Sequence, residues 1–264
     1  MAPASFKKPS NNLSETNMSH FPLISIVTSS LNNCITLKET IDNIAEQTYS
    51  KIEYIVIDGG SQDGTATLLQ NSGNIVSHWI SEPDQGIYDA WNKGVRYANG
   101  VYIAFLGAGD KYLINGLNAL AKLALANTNA DFICGQVSLQ SSRQHVRVIG
   151  KPWDWSLFRH YMCTSHVGAL HSRRLFDRYG LFDINYRIAG DYELLLRPGK
   201  DLNAAFLNHP VAMMLPDGIS QRDHRVFYEA KKAKLQHKAV SRLIAQYDFF
   251  LAFLKLFIRQ NFLS

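Results

Sequence analysis

The stretch Ile52-Glu53-Tyr54-Ile55-Val56-Ile57-Asp58-Gly59-Gly60-Ser61-Gln62-Asp63-Gly64-Thr65 decides the fold. Residues 52–57 form an apolar, β-branched run too short for a helix, so they read as a buried strand. Asp58-Gly59-Gly60 ends it, and a short helix is expected over about 65–70. The same unit recurs on both sides. Residues 23–28 (Leu-Ile-Ser-Ile-Val-Thr) read as an earlier strand, followed by a helix whose Thr36 and Glu39 have capping-box spacing and whose apolar face continues through Ile41, Ile44 and Ala45. A third strand is expected near 75–80, a helix over 87–97, a turn at Asn99-Gly100, and a fourth strand over 101–106 that runs into Gly107-Ala108-Gly109-Asp110. Strands alternating with helices at this spacing imply an α/β fold with a mostly parallel, Rossmann-like sheet flanked by helices.

Ligands of such sheets bind at the carboxyl ends of the strands. Three of the four strands are followed within a few residues by an aspartate: Asp58, Asp84 and Asp110. Three carboxylates on one rim would repel a bare phosphate. They can bind hydroxyls and base N–H groups, or hold a cation that in turn holds phosphate. Taken singly, each is also an ordinary turn or helix-capping aspartate; it is the set, with glycines beside each, that points to a site.

The rest of the chain is less regular. A helix is expected over about 115–126, short strands near 131–134, 136–139 and 146–149, an aromatic loop at Trp153-Asp154-Trp155, a helix around 172–179, another from Asp191, strands near 204–207 and 211–215, and a loop at Gly218-Ile219-Ser220. The organisation is therefore a disordered polar arm (1–21), one domain over 22–220 divided into a regular first half (22–111) and a less regular second half (112–220), and C-terminal amphipathic helices (221–264).

Composition narrows the class. With 264 residues, 46% hydrophobic and 19% charged, the chain can bury a substantial core. A net charge of +5 is a mild excess that favours an anionic partner, but no basic stripe runs through the motifs, so no nucleic acid is expected. Cys34, Cys134 and Cys163 are far apart and lack zinc spacing, as in the reduced thiols of a cytoplasmic protein. The sequons at Asn12 and Asn17 then carry no meaning. Residues 1–20 lack the apolar core of a signal peptide, and no run approaches the roughly 20 apolar residues of a membrane span.

Three motifs carry a family resemblance: the stretch quoted first, from Ile55 to Thr65; Ser81-Glu82-Pro83-Asp84-Gln85-Gly86-Ile87-Tyr88-Asp89-Ala90-Trp91-Asn92-Lys93-Gly94; and Tyr102-Ile103-Ala104-Phe105-Leu106-Gly107-Ala108-Gly109-Asp110. In order and spacing they resemble family 2 glycosyltransferases of the GT-A fold, and among these the bacterial members that build O-antigens and exopolysaccharides. The resemblance implies that Thr28, Ser29, Asp58 and Asp84 line the base and ribose pocket, and that Asp110 coordinates Mg²⁺ or Mn²⁺ bound to the diphosphate. Gly190-Asp191-Tyr192-Glu193-Leu194 is similar to the family's acidic pair, which makes Asp191 the base that takes the acceptor hydroxyl's proton and Glu193 the second candidate. A helix N-terminus favours the ionised carboxylate there; the plainer reading of Asp191 is an N-cap. His166 aligns with a histidine on the acceptor side of relatives, and Trp155, with Trp153, either stacks on a sugar or seals the core. Two departures stand out. Ser29-Ser30-Leu31-Asn32 replaces the common Pro-Thr-Tyr-Asn. The metal motif keeps one acidic residue, so the ion is expected to share the donor's diphosphate and water.

The resemblance thus implies an inverting transfer of one sugar from a UDP-, GDP- or dTDP-linked donor to a saccharide or lipid-linked saccharide acceptor. The alternative within the same fold is an inactive nucleotide-sugar-binding or partner-binding module. A dinucleotide oxidoreductase is excluded because the third glycine of its fingerprint would fall at Tyr112. A processive synthase is excluded because its Gln-x-x-Arg-Trp motif and membrane spans are missing. At the C-terminus, Val240, Leu243, Ile244, Tyr247, Phe250, Leu251, Leu254 and Ile258 form a helical stripe behind Lys231, Lys232, Lys234, Lys238 and Arg242. Such a helix lies on the inner face of the plasma membrane, packs on the domain, or joins a second subunit in a homodimer.

Overall fold

A computed structural model describes residues 20–140, 146–215, 218 and 223–262. Most of the expected N-terminal arm, both sequons and residues 219–220 of the expected loop lie outside the described residues.

The first half is built as expected: β1 (Ile24–Ser30), α1 (Cys34–Ala45), β2 (Ile52–Asp58), α2 (Thr65–Gln70), β3 (His78–Ser81), α3 (Ile87–Tyr97) and β4 (Tyr102–Phe105). The four strands lie in the order β3-β2-β1-β4, all parallel. Ser30 pairs with Asp58 and Asp58 with Ser81, so three strands end level with one another. Both faces are covered, which is why the strands are near-continuous apolar runs. Ile24, Ile26, Tyr54 and Val56 belong to one core, and Val27, Ile55 and Ile57 to the other.

The second half comprises β5 (Lys111–Tyr112), α4 (Gly116–Ala126), β6 (Phe132–Gln140), β7 (Val146–Ile149), α5 (Trp155–Phe158), β8 (Ala169–Ser172), α6 (Arg173–Tyr179), α7 (Gly190–Leu196), β9 (Ala204–Met214), α8 (Arg225–Gln236) and α9 (Arg242–Phe262). The sheet continues as β4-β8-β6-β9-β5, with β7 beside β6. Here β8 runs antiparallel to β4 and β6, so the wholly parallel region is confined to the first four strands.

Three local expectations change. Two pairs of short strands merge into the long β6 and β9, because a bulge at Gly135 and Gln136 absorbs the register shift opposite Pro210, which has no N–H to give the ladder. Strand β8 is only four residues long and carried no visible pattern. And α1 is not closed by a Thr36–Glu39 box: its Asn33 cap makes no side-chain hydrogen bond, while the Cys34 N–H donates to Asp63 Oδ2 at 2.8 Å, a cap from another loop. All three cysteines are free thiols.

The C-terminal helices are tied to the domain. Asp248 of α9 accepts from Lys234 of α8 at 2.8 Å and sits 3.1 Å from His160 Nδ1. Phe249 and Phe253 pack on Tyr228, and Phe253 also on Phe227. The opposite side of α9 stays open, with Leu243 84%, Tyr247 63% and Phe250 64% exposed. Among the described residues no helix is long and apolar enough to cross a membrane.

Candidate donor and transfer site

The level strand ends create the rim. Asp58, the last residue of β2, is fully buried between the tips of β1 and β3. Its carboxylate accepts the Ser61 N–H at 3.0 Å, the Ser61 hydroxyl, and the Ser81 hydroxyl at 2.6 Å. A buried charge needs such partners. Asp58 therefore ties two loops together at the rim where the nucleoside pocket is expected. Thr28 is likewise fully buried, and its Oγ1 accepts from Tyr54 at 3.2 Å. Ser29, one residue on, is half-buried at the tip of β1. Ser61 and Ser81 were missed; their signal was their places within and beside the strand-end motifs.

Asp84 is half-buried and its Oδ1 accepts the Gly86 N–H at 2.8 Å. A methyl group placed on Gly59 would lie 2.7 Å from Asp84 Oδ2, so that glycine makes room for the carboxylate. The same loop meets the segment before α7. Arg187 donates to the Gln85 carbonyl, and the Tyr88 hydroxyl donates to the Ile188 carbonyl at 2.7 Å. Tyr88 also stands 3.4 Å from Asp191 Oδ1. The loop of Asp84 and the segment leading into the helix of Asp191, far apart in the chain, are thus neighbours.

Asp191 is the second residue of α7 and not its cap, which is Ala189. Burial pushes its pKa up to about 6, against the amides and the Tyr88 hydroxyl that pull it down. The amides at the start of α7 favour the ionised form, as expected of a helix N-terminus, but desolvation is the larger effect. A carboxyl with such a value still ionises at neutral pH and binds a proton more strongly than a free aspartate, as a general base requires.

Glu193 points elsewhere. It is 1% exposed, bound by Arg197 at 3.0 and 2.6 Å and by His237 at 2.6 Å. Burial raises its pKa, but the bonds from His237 and Arg197 outweigh that and hold it below the usual range. Its carboxylate is thus engaged by two internal partners. His166 lies in an aromatic cluster. Its ring is stacked on Trp91 and Phe105 with centroids 4.9 and 5.4 Å away, and burial pushes its pKa down to about 3. Among the described residues, neither ring nitrogen of His166 nor Trp91 Nε1 has a hydrogen-bond partner. Trp155 packs on Trp153 and against Gly199, sealing the core.

Asp110 follows β4. Its Oδ1 accepts the Leu215 N–H at 3.1 Å, and a methyl on Gly107 would lie 2.7 Å from its Oδ2. Burial pushes its pKa up to about 6, with only the Leu215 and Gly107 amides opposing. A carboxylate desolvated without a counter-charge suits a hard divalent cation, which would supply the missing positive charge. Among the described residues no three His, Cys, Asp or Glu side chains converge. A cation on Asp110 would therefore complete its shell with ligand oxygens and water.

A parallel half with carboxylates at its strand ends, joined to a half that continues the sheet with antiparallel strands, is the architecture of GT-A glycosyltransferases. Comparison with known proteins agrees. The family model described as Glycosyl transferase family 2 matches residues 25–176. A PGL/p-HBAD biosynthesis glycosyltransferase of Mycobacterium tuberculosis is 32% identical over 183 residues, covering 67% of this chain and 69% of that protein. Among solved structures, S. aureus TarS 1-349 in complex with UDP-GlcNAc superposes with a TM-score of 0.67 at 14% identity, over 90% of this chain and 74% of that one. The longer TarS chain is spanned over 43% of its length. The mannosyltransferase PcManGT from Pyrobaculum calidifontis, in complex with GDP-Man and Mn²⁺, gives 0.62 at 18% identity, over 93% of this chain and 77% of that one. The chain belongs to glycosyl transferase family 2, and it is a glycosyltransferase.

Proposed function

We propose that the protein moves one sugar from a nucleotide-activated donor to a hydroxyl of a saccharide or lipid-linked saccharide, with inversion, during assembly of a surface polysaccharide such as an O-antigen, capsule or exopolysaccharide. The observation that carries this is Asp191, a carboxyl of raised proton affinity in the first turn of the helix whose preceding segment meets the Asp84 loop. Ser29 and Asp84 read the nucleoside, and Asp58 acts through the Ser61 and Ser81 loops. Asp191 takes the proton of the acceptor hydroxyl as that oxygen forms its bond to the anomeric carbon. The bond to the diphosphate oxygen breaks on the opposite face, so a single displacement inverts the centre. Mg²⁺ or Mn²⁺ on Asp110, when bound, would neutralise the charge developing on the departing diphosphate. The UDP-GlcNAc, GDP-Man and Mn²⁺ held by the structural neighbours support a donor of this class. The named role of the mycobacterial relative in PGL/p-HBAD biosynthesis supports a transfer that belongs to a biosynthetic assembly.

The open face of α9 supports a place on the inner surface of the plasma membrane. Leu243, Tyr247, Phe250 and Leu254 recur at helical spacing, Arg242 and Lys255 are exposed beside them, and the helix's one acid, Asp248, is turned inward. Flotation with anionic vesicles checks this: Phe250→Glu should abolish binding, and equal flotation of both proteins would sink the assignment.

Nucleotide sugars tested by thermal shift with and without Mn²⁺, followed by transfer assays and determination of the product's anomeric configuration, test the main proposal. Asp191→Asn should keep donor binding and lose transfer. A retained anomeric configuration, or no donor that stabilises the protein, would refute the reading.

A further inference from the structure

The segment before Asp191 is irregular, yet three of its successive amides are satisfied by one side chain from α8. Glu229 Oε1 accepts the Arg187 N–H at 2.9 Å, and its Oε2 accepts those of Ile188 at 2.8 Å and Ala189 at 2.9 Å. These donors lie just ahead of α7, where amides have no partner of their own. The following residue, Gly190, is pressed on the Tyr88 ring: a methyl there would fall 2.7 Å from it. Two residues beyond Asp191, Glu193 is held by His237, which caps the far end of α8. One C-terminal helix therefore grips the chain immediately before and after Asp191, through partners about 40 positions away in sequence.

We propose that α8 is a clamp that sets the position of Asp191, with Glu229 as its positioning residue. This rests on Asp191 being the base proposed above. Glu229 does not reach the acceptor; it fixes the backbone from which the base projects. Three bonds from one carboxylate are charge-assisted, and their loss frees a loop that no other described side chain ties at all three amides. A misplacement of about 1 Å at a reacting group costs on the order of a hundredfold in rate. Glu229 also adds a negative charge near Asp191. The titratable groups facing Asp191 are Tyr88 from α3 and Glu229 from α8, while Glu193 on its own helix is turned to Arg197 and His237.

The test is Glu229→Gln in the full-length protein. The carboxamide turns a donor toward the amides and removes the charge. Donor binding by thermal shift should be unchanged and kcat should fall about tenfold to a hundredfold. The acidic limb of the rate profile should move to lower pH, and the amides of 187–189 should exchange faster with solvent. A change of packing alone would lower stability without moving the limb. Glu229→Asp, the milder variant, keeps the charge but falls one methylene short: it should lose part of kcat, speed the amide exchange and leave the limb in place. Wild-type kcat and exchange in either variant would overturn the clamp. Asp191→Asn separates the two claims: transfer at the wild-type rate there overturns the base assignment, whereas a dead Asp191→Asn beside an unaffected Glu229→Gln overturns the clamp alone.

Discussion

Ionised Asp191 should cost the folded protein stability, and removing its charge should return it. Burial lifts this carboxyl from the ordinary 3.8 to about 6. Below the lower value folded and unfolded chains both carry the proton. Between the two values the unfolded chain releases it while the folded chain keeps it, so stability falls as pH rises; above the upper value both are ionised and the loss is constant. About two units at about 1.4 kcal/mol each set a ceiling of about 3 kcal/mol. Asparagine has nearly the same shape and no charge, and its carbonyl can still accept the Tyr192 N–H that Asp191 Oδ1 accepts at 2.8 Å. Asp191→Asn should therefore be more stable than the wild type by about 1–3 kcal/mol at neutral pH, a few degrees in Tm, with the gap closing toward about pH 4. The same variant should transfer sugar at least about a hundredfold more slowly. Thermal unfolding across this pH range, with transfer measured beside it, makes the comparison. A gap that does not widen with pH, or an asparagine variant that is less stable throughout, would refute the reasoning, because it would mean that the carboxyl is not desolvated.

Three further perturbations probe the rim and its support. Gly59→Ala drives a methyl to 2.7 Å from Asp84 Oδ2 and should raise the donor KM about tenfold, equivalent to about 1.4 kcal/mol, with kcat little changed. Gly107→Ala does the same to Asp110 and should weaken the Mn²⁺-dependent part of donor binding in thermal-shift titrations, leaving the metal-free shift as it was. Glu193→Ala strips Arg197 and His237 of their shared buried partner and should cost about 3 kcal/mol in urea unfolding, far more than an exposed ion pair.

How far the site was legible depended on the range of the interaction involved. Asp84 and Asp110 could be read because a strand, a glycine and an acid lie within a few residues of one another, and the glycines proved to abut those carboxylates. Asp58 sits in an equally good motif, but its burial depends on β1 and β3 ending level with β2, a fact of strand register. Asp191 and Glu193 are two residues apart on one short helix, and nothing local tells them apart. What separates them is Tyr88 on one side and His237 on the other. The strand β8 and the Asp63 cap of α1 escaped for the same reason, since each is created by a partner distant in the chain.

The sequence by itself determined the alternation of strands and helices, the parallel half and the rim where the acids gather, because apolar period, turn chemistry and chain connectivity are local properties. Only the tertiary structure decided which acids are engaged as internal ties, and that a glutamate of the C-terminal helices holds the segment before Asp191. Burial and hydrogen-bond partners are properties of the packed molecule, and a side chain's chemistry follows its surroundings as much as its identity.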